Sequence, residues 1–111
     1  MNQEIKQEEF DTYQTKASAY RVDGATPEER VMGLLEEAGE VAGVFKRLMR
    51  GDYGHDVAAT KLHAELGDIL WYLSQIALDN GWQLSEVAGA NLDKLESRLL
   101  RNKILGSGDT R

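Results

Sequence analysis

Two short stretches of this 111-residue sequence place acidic side chains among apolar ones. The first, LLEEAGEVAG, contains Glu36, Glu37 and Glu40, and the second, HAELGDILWYL, contains Glu65 and Asp68. At about 100° per residue of an α-helix, Glu37 and Glu40 lie on or beside an apolar stripe, and Glu65 lies near the middle of another. Asp68 lies at the edge of that second stripe, and Glu36 lies further out on the first helix. An acid in such a position needs a physical explanation.

A divalent cation is the chemistry that these acids favour. An ionised carboxylate removed from water is unstable unless it is compensated, and gathered carboxylates raise one another's pKa. The pairs Glu37/Glu40 and Glu65/Asp68 are each spaced i,i+3 and would face each other across two helices. Their oxygen ligands suit Mg²⁺, Mn²⁺ or Ca²⁺, and residues three apart on a helix can converge on one ion. The alternative is that the acids are solvated and form salt bridges with basic residues such as Arg47 or Lys61.

The histidines do not fit the other metal site common in helical bundles. Di-iron centres in such bundles use Glu-x-x-His pairs. The two histidines are His55, in a predicted loop, and His63, which lies about 200° around the helix from Glu65. An all-carboxylate site is typical of magnesium and of phosphate chemistry.

Four helical segments position these acids. The second has the clearest start, because Thr26 is a predicted N-cap, Pro27 follows at the first helical position, and Glu29 completes a capping box. Gly81 ends the third segment. We predict an all-α fold, a four-helix bundle completed by oligomerisation, with helices over residues 4–20, 27–50, 57–80 and 85–101.

Composition limits the kinds of protein that this chain can be. Hydrophobic residues make up 41% of the chain, which predicts one packed domain over residues 1–111, with a core of about 8–101 and a flexible tail at 105–111. The net charge of −6 argues against nucleic-acid binding, and the lack of cysteine excludes disulfides and thiolate metal sites. No apolar run resembles a signal peptide or a membrane span, so we expect a cytoplasmic protein with no membrane partner.

The acid motif resembles the EExxE…ExxD signature of the MazG-type nucleoside triphosphate pyrophosphohydrolases. The phrases GLLEEAGEVAGVFKR, ELGDILWYLSQIA and ANLDKLESR are similar to that family, and the resemblance covers about residues 8–101. It implies an all-α enzyme that hydrolyses NTPs or dNTPs to the monophosphate and pyrophosphate with Mg²⁺, for which Mn²⁺ can substitute. Nucleotide-pool housekeeping is the role expected of it.

The resemblance also assigns roles to particular residues. It implies that Glu37, Glu40, Glu65 and Asp68 are metal ligands. Glu36 would be an additional catalytic carboxylate that orients or deprotonates water, or contacts a second ion. Two alternatives stay open: an enzyme similar to phosphoribosyl-ATP pyrophosphohydrolase, and a non-catalytic nucleotide- or metal-binding regulator. A purely structural dimerisation module is a third, and it predicts no effect of Mg²⁺.

Basic residues are the candidates for phosphate binding. On the fourth helix Asn91, Lys94 and Arg98 fall within about 60° of one another. Spacing alone is equally compatible with a solvated face, but the resemblance implies that they are substrate contacts. A second group, Lys46, Arg47 and Arg50, lies at the end of the second helix, where cations complement the helix dipole.

Assembly follows from the size of the elements. The two long helices are each about 36 Å long, and a polar first helix cannot cover both of them. We therefore expect a homodimer, or a homotetramer made of two dimers, whose active site uses residues from a neighbouring subunit.

Overall fold

The computed structural model describes residues 7–105, and that part of the chain contains helices and no strand. Four α-helices follow one another: α1 (Gln7–Ala17), α2 (Pro27–Arg50), α3 (His55–Asp79) and α4 (Leu84–Leu105), with a 3₁₀ turn (Ser18–Tyr20) after α1. The predicted all-α architecture with four helices is therefore confirmed. Residues 4–6 of the first predicted helix and 106–111 of the predicted tail lie outside the described residues.

Local sequence signals account for the ends of α2. The Glu29 N–H donates to the Thr26 hydroxyl oxygen at 3.1 Å, which is the predicted N-cap bond. Gly51 ends the helix with φ of 85°, and its N–H donates to carbonyls of the last turn. A residue with a side chain would be strained in that left-handed conformation. The chain then turns within four residues, so α3 begins at His55, two residues earlier than predicted.

The central feature of the fold is the antiparallel pair formed by α2 and α3. Near its open end, Gly33 lies so close to Tyr72 that a Cβ atom would stand 2.3 Å from the ring. Near its turn, Val44 and Ala58 are both buried. Because Gly33 lacks a side chain, the two backbones can approach each other closely beside the acidic residues.

A buried polar network joins α1 and α4 to the far side of α3. The Gln14 amide nitrogen donates to the carbonyls of Ser74 and Trp82 at 2.9 and 3.0 Å, and its oxygen accepts from the Leu84 N–H at 3.0 Å. Ser74 and Gln75 are fully buried. Because both ends of the buried Gln14 amide have partners, these hydrogen bonds fix the start of α4 relative to α1 and α3.

A second buried polar group ties the α1–α2 connection to the end of α3. Asp79 accepts hydrogen bonds from Arg30 at 2.6 and 2.7 Å and from Arg21 at 2.5 Å. The hydrogen bonds from Arg30, followed by those from Arg21, hold the pKa of Asp79 below its usual value. Arg30 and Asp79 have side chains that are each only 8% exposed. This triad holds α2 in register along α3.

Many large apolar residues remain exposed. Leu35 is 62% exposed and Met49 is 86% exposed, whereas the buried apolar residues are mostly alanines. The radius of gyration is 17.4 Å, compared with about 13 Å for a compact domain of this length. Among the described residues, no helix is long and apolar enough to cross a membrane.

Candidate metal centre

Three carboxylates from two helices converge near the middle of the α2–α3 pair. Glu37 of α2 and Glu65 and Asp68 of α3 each offer an oxygen, and these oxygens all lie within 4.8 Å of one another. Because Glu65 and Asp68 are spaced i,i+3, both side chains lie on the face of α3 that meets α2. Antiparallel pairing brings Glu37 opposite Glu65. The sequence prediction placed these three acids together, and the structure does bring them together.

The electrostatics of the cluster are those of crowded negative charge. A hydrogen bond with Glu65 raises the pKa of Glu37 from 4.5 to about 7, with further contributions from burial and from the charges of Glu65, Asp68 and Glu40. A hydrogen bond between two carboxyl groups requires a proton. In the absence of a cation, Glu37 therefore keeps its proton up to near neutral pH.

Glu65 has a second unusual feature. Its Oε2 atom is buried and has no hydrogen-bond partner within residues 7–105. A buried carboxylate oxygen is normally hydrogen-bonded, so one without a protein partner is consistent with a bound ion. Three converging carboxylates with one unsatisfied oxygen are a donor set that fits a hard divalent cation such as Mg²⁺.

Glu40 and Glu36, the other two acids of the motif, stand at the edge of this cluster. Glu40 is exposed and lies outside the group of three whose oxygens converge, although its charge contributes to the raised pKa of Glu37. Glu36 is also exposed, and it lines two neighbouring cavities. It is thus placed to act on groups bound in either one.

The larger cavity, of about 700 Å³, runs from the acids towards the α2–α3 turn. One end is acidic, with Glu36, Glu40 and Glu65, and two cations stand further along, Arg47 and Lys61. Gly39 and Gly43 lie on the α2 side, where their lack of side chains leaves room. A cavity with acids and cations in sequence can hold a metal ion together with a phosphate chain.

The second cavity, of about 510 Å³, lies on the other side of Glu36. It is more apolar, with Trp71, Tyr72 and Met32 in its lining. The Trp71 ring N–H donates to the Ala17 carbonyl at 3.0 Å, and its ring meets that of Tyr72 edge to face at 5.1 Å. These aromatic side chains are therefore held in fixed positions.

The three predicted substrate contacts on α4 lie elsewhere. Asn91 and Lys94 are exposed, Arg98 is half-buried, and none of them lines either cavity among the described residues. The reason is that α4 packs on α1 and α3 rather than on α2. A role for these residues stays a prediction, and within one chain the structure does not bring them to the acids.

The sequence did not predict the triad of Arg21, Arg30 and Asp79, which joins the start of α2 to the end of α3. A signal was present, because Arg30 lies within about 20° of Glu37 on the α2 wheel, on the same apolar stripe. A cation on an apolar stripe needs a buried partner just as an acid does. Tyr53 and Lys61 were also not assigned to the site, since a loop residue and an exposed lysine carry no pattern.

Comparison with known proteins agrees with this geometry. Residues 25–100 match the MazG nucleotide pyrophosphohydrolase domain. Over 82 residues the chain is 45% identical to the gene 37 protein of Mycobacterium phage L5, and the alignment covers 72% of each chain. No solved structure gives a significant match. The family match and the clustered carboxylates on two paired helices agree with each other. The chain belongs to the MazG nucleotide pyrophosphohydrolase family.

Proposed function

We propose that this chain hydrolyses nucleoside triphosphates, ribo or deoxyribo, to the nucleoside monophosphate and pyrophosphate, as part of nucleotide-pool housekeeping. The convergence of Glu37, Glu65 and Asp68, with a buried unpaired oxygen on Glu65, is the observation that carries the proposal. Of these acids, Glu65 lines a cavity of about 700 Å³, together with Glu36, Glu40 and two cations. That size is within the range typical of small-ligand sites.

The acids have separate roles in this reaction. Glu37, Glu65 and Asp68 would hold Mg²⁺, or Mn²⁺ in its place, with Glu40 beside them as a fourth ligand. When bound, the ion neutralises the negative charge that develops on the phosphates. Glu36 orients a water molecule and accepts a proton from it as the water attacks phosphorus. The water oxygen forms the new P–O bond, and the bond to the pyrophosphate oxygen breaks.

A second copy of the chain completes the molecule in this proposal. Six residues of α2 alternate at spacings of four and three, as in a coiled-coil seam, and are all exposed: Val31, Leu35, Ala38, Ala42, Phe45 and Met49. Four exposed apolar residues of α3 fall within about 60° of one another: Ala59, Leu66, Leu70 and Leu73. Both stripes lie about 100° from the α2–α3 contact, and antiparallel pairing turns them to the same side.

The area of this apolar face is sufficient for a stable dimer. Two helices of about 36 Å, packed 8–10 Å apart, present roughly 700 Å² per copy. A specific interface buries about 800 Å² per partner. We therefore propose a homodimer through this face. A homotetramer of two dimers is the larger form, and Asn91, Lys94 and Arg98 would reach a substrate only from a neighbouring copy.

The test is a panel of nucleotides with Mg²⁺ in which released pyrophosphate and orthophosphate are measured separately. We expect pyrophosphate and monophosphate in equal amounts from at least one NTP or dNTP, and no orthophosphate. The panel also includes phosphoribosyl-ATP, the substrate of the alternative enzyme that the sequence leaves open. Orthophosphate as the first product, or binding of nucleotides without turnover, would contradict the proposal.

A further inference from the structure

We propose that Arg47 and Lys61 form a polyphosphate clamp, a pair of cations that binds the phosphates leaving as pyrophosphate. The inference rests on the proposed function for its substrate, but its evidence is separate from the acid cluster. It concerns the end of the larger cavity nearest the α2–α3 turn, where the two cations line the wall on opposite helices.

The position of Arg47 depends on a glycine. One terminal guanidinium nitrogen of Arg47 lies 2.8 Å from where a Cβ atom of Gly43 would stand. Because that side chain is absent, the guanidinium folds back along α2 towards the acids instead of extending into solvent. A glycine one helical turn earlier, Gly39, has no atom within 4 Å of its Cβ position, so the cavity continues towards Glu40.

Lys61 is held on the other side of the cavity by Tyr53. Its ammonium nitrogen lies 5.7 Å from the centre of the Tyr53 ring, within the range of a cation–π contact. The Tyr53 hydroxyl in turn donates to the Val44 carbonyl at 3.1 Å, which ties the turn to α2. Lys61 therefore rests on a side chain that is itself anchored.

Both cations stand at the same end of the helix pair. Arg47 follows Glu40 by seven residues, about 10 Å along the helix axis, and Lys61 precedes Glu65 by four, about 6 Å. Since α2 and α3 are antiparallel, both displacements run towards the turn. A phosphate chain whose reacting phosphorus lies at the acids would extend towards these two side chains.

Among the described residues, no acid neutralises either cation. Within residues 7–105, no carboxylate forms a salt bridge with Arg47 or Lys61, although the chain carries a net charge of −6. Arg50, by contrast, pairs with Asp52 at 2.5 Å. Two unpaired cations that face one cavity are available for an anionic ligand. Guanidinium and ammonium groups both bind phosphate oxygens strongly.

The test is the affinity for pyrophosphate itself, measured by titration calorimetry with Mg²⁺ present, so that turnover is not needed. We expect Arg47→Ala and Lys61→Ala each to weaken pyrophosphate binding about 10-fold or more, since hydrogen bonds between charged groups are stronger than neutral ones. Both variants should leave the affinity for a nucleoside monophosphate nearly unchanged. Lys46→Ala is the matched control, because exposed Lys46 loses the same charge outside the cavity lining.

The outcomes separate this clamp from the proposed function. If Arg47→Ala and Lys61→Ala bind pyrophosphate as tightly as the wild type, or no more weakly than Lys46→Ala, the clamp is wrong even if hydrolysis occurs. If the wild type releases no pyrophosphate from any nucleotide but binds it in a manner that needs Arg47, the clamp stands and the proposed function fails. Thermal melting of each variant confirms that folding is retained.

Discussion

At the scale of single residues, Glu37 is the acid whose pKa the crowding of the cluster raises. Glu37 and Glu65 share a hydrogen bond, and Asp68 adds a third charge nearby. In the absence of a cation, folding therefore favours the protonated form of Glu37. A bound divalent ion would reverse that preference, because it would compensate the charges that otherwise repel one another.

This arrangement predicts how the stability of the metal-free protein varies with pH. The pKa of Glu37 is 4.5 in the unfolded chain and about 7 in the folded one, so between these values the folded state binds more protons. Stability should therefore fall as pH rises from about 4.5 to about 7. Thermal melts in EDTA across this range measure it, and Glu37→Gln should flatten the dependence. A wild-type melting temperature that rises steadily through the window would contradict the assignment.

Glu36 provides a second prediction at this scale. If it activates water, Glu36→Gln should lower kcat by about 10²–10⁴-fold while KM changes little. Asp23→Asn removes an exposed carboxylate outside both cavities and should leave kcat/KM within about a factor of two. Steady-state kinetics at saturating Mg²⁺ make the comparison. If Glu36→Gln changes kcat/KM no more than Asp23→Asn does, Glu36 is a solvated surface charge and not a catalytic residue.

At the scale of elements, the site depends on how closely α2 approaches α3. Gly33 permits this approach, since the Tyr72 ring occupies the space that a side chain would need. The Arg30–Asp79 pair fixes the two helices at the same end. Glu37 and Glu65 face each other because these contacts set both the distance and the register.

A pair of alanine substitutions tests this packing. Gly33→Ala places a Cβ atom 2.3 Å from Tyr72 and should destabilise the fold by about 1–3 kcal/mol. Gly39→Ala meets nothing within 4 Å and should stabilise it by up to about 1 kcal/mol through helix propensity. Urea unfolding of both variants gives the two free energies. If Gly33→Ala is as stable as Gly39→Ala, the close approach of the helices is wrong.

The elements themselves could be predicted from sequence, because their signals are local. The N-cap of Thr26 is a bond between residues three apart, and the predicted helix ends mostly agree with the structure within a few residues. The meeting of Glu37 with Glu65 was also predictable, since antiparallel helices joined by a short turn must pair. An acid on the apolar stripe of one helix is expected to face the neighbouring helix, where it needs a compensating group.

The placement of α4 could not be predicted in the same way. Its position depends on Gln14, whose amide contacts residues 60 to 70 positions further along the chain. A helix wheel shows which residues share a face but not which neighbour that face meets. Lys94 was for that reason predicted at the phosphates, whereas within one chain it lies outside both cavities. Arg47 came to line the cavity because Gly43 beside it leaves space.

At the scale of the whole molecule, the helix pair has two different faces. One carries the acids and the unpaired cations, and the other carries the exposed apolar stripes of α2 and α3. A monomer would leave these stripes in water, which is unusual for an apolar patch of this size. In the proposed dimer, a second copy would cover the stripes and leave the acid cavity open on the opposite face.

Disruption of the apolar face should change the mass of the protein. We expect the wild type to be a dimer or tetramer by light scattering at micromolar concentration, and Leu35→Glu to shift it towards the monomer. Val57→Glu is the control, because Val57 is 46% exposed and lies on the other side of α3, in its first turn, where an acid is tolerated. A monomeric wild type that is fully active would contradict this account of the assembly.

The most direct test of the central claim is pyrophosphate release by the Glu65→Gln variant. Glu65 contributes one of the three converging oxygens, and its other oxygen is buried without a partner in the described residues. We predict that turnover is abolished while the protein stays folded, and that Mg²⁺ no longer raises the melting temperature as it does for the wild type. In EDTA the variant should melt at or above the wild-type temperature, because one buried negative charge is gone. Pyrophosphate release by Glu65→Gln at a near-wild-type rate would contradict the metal centre, and with it the proposed chemistry.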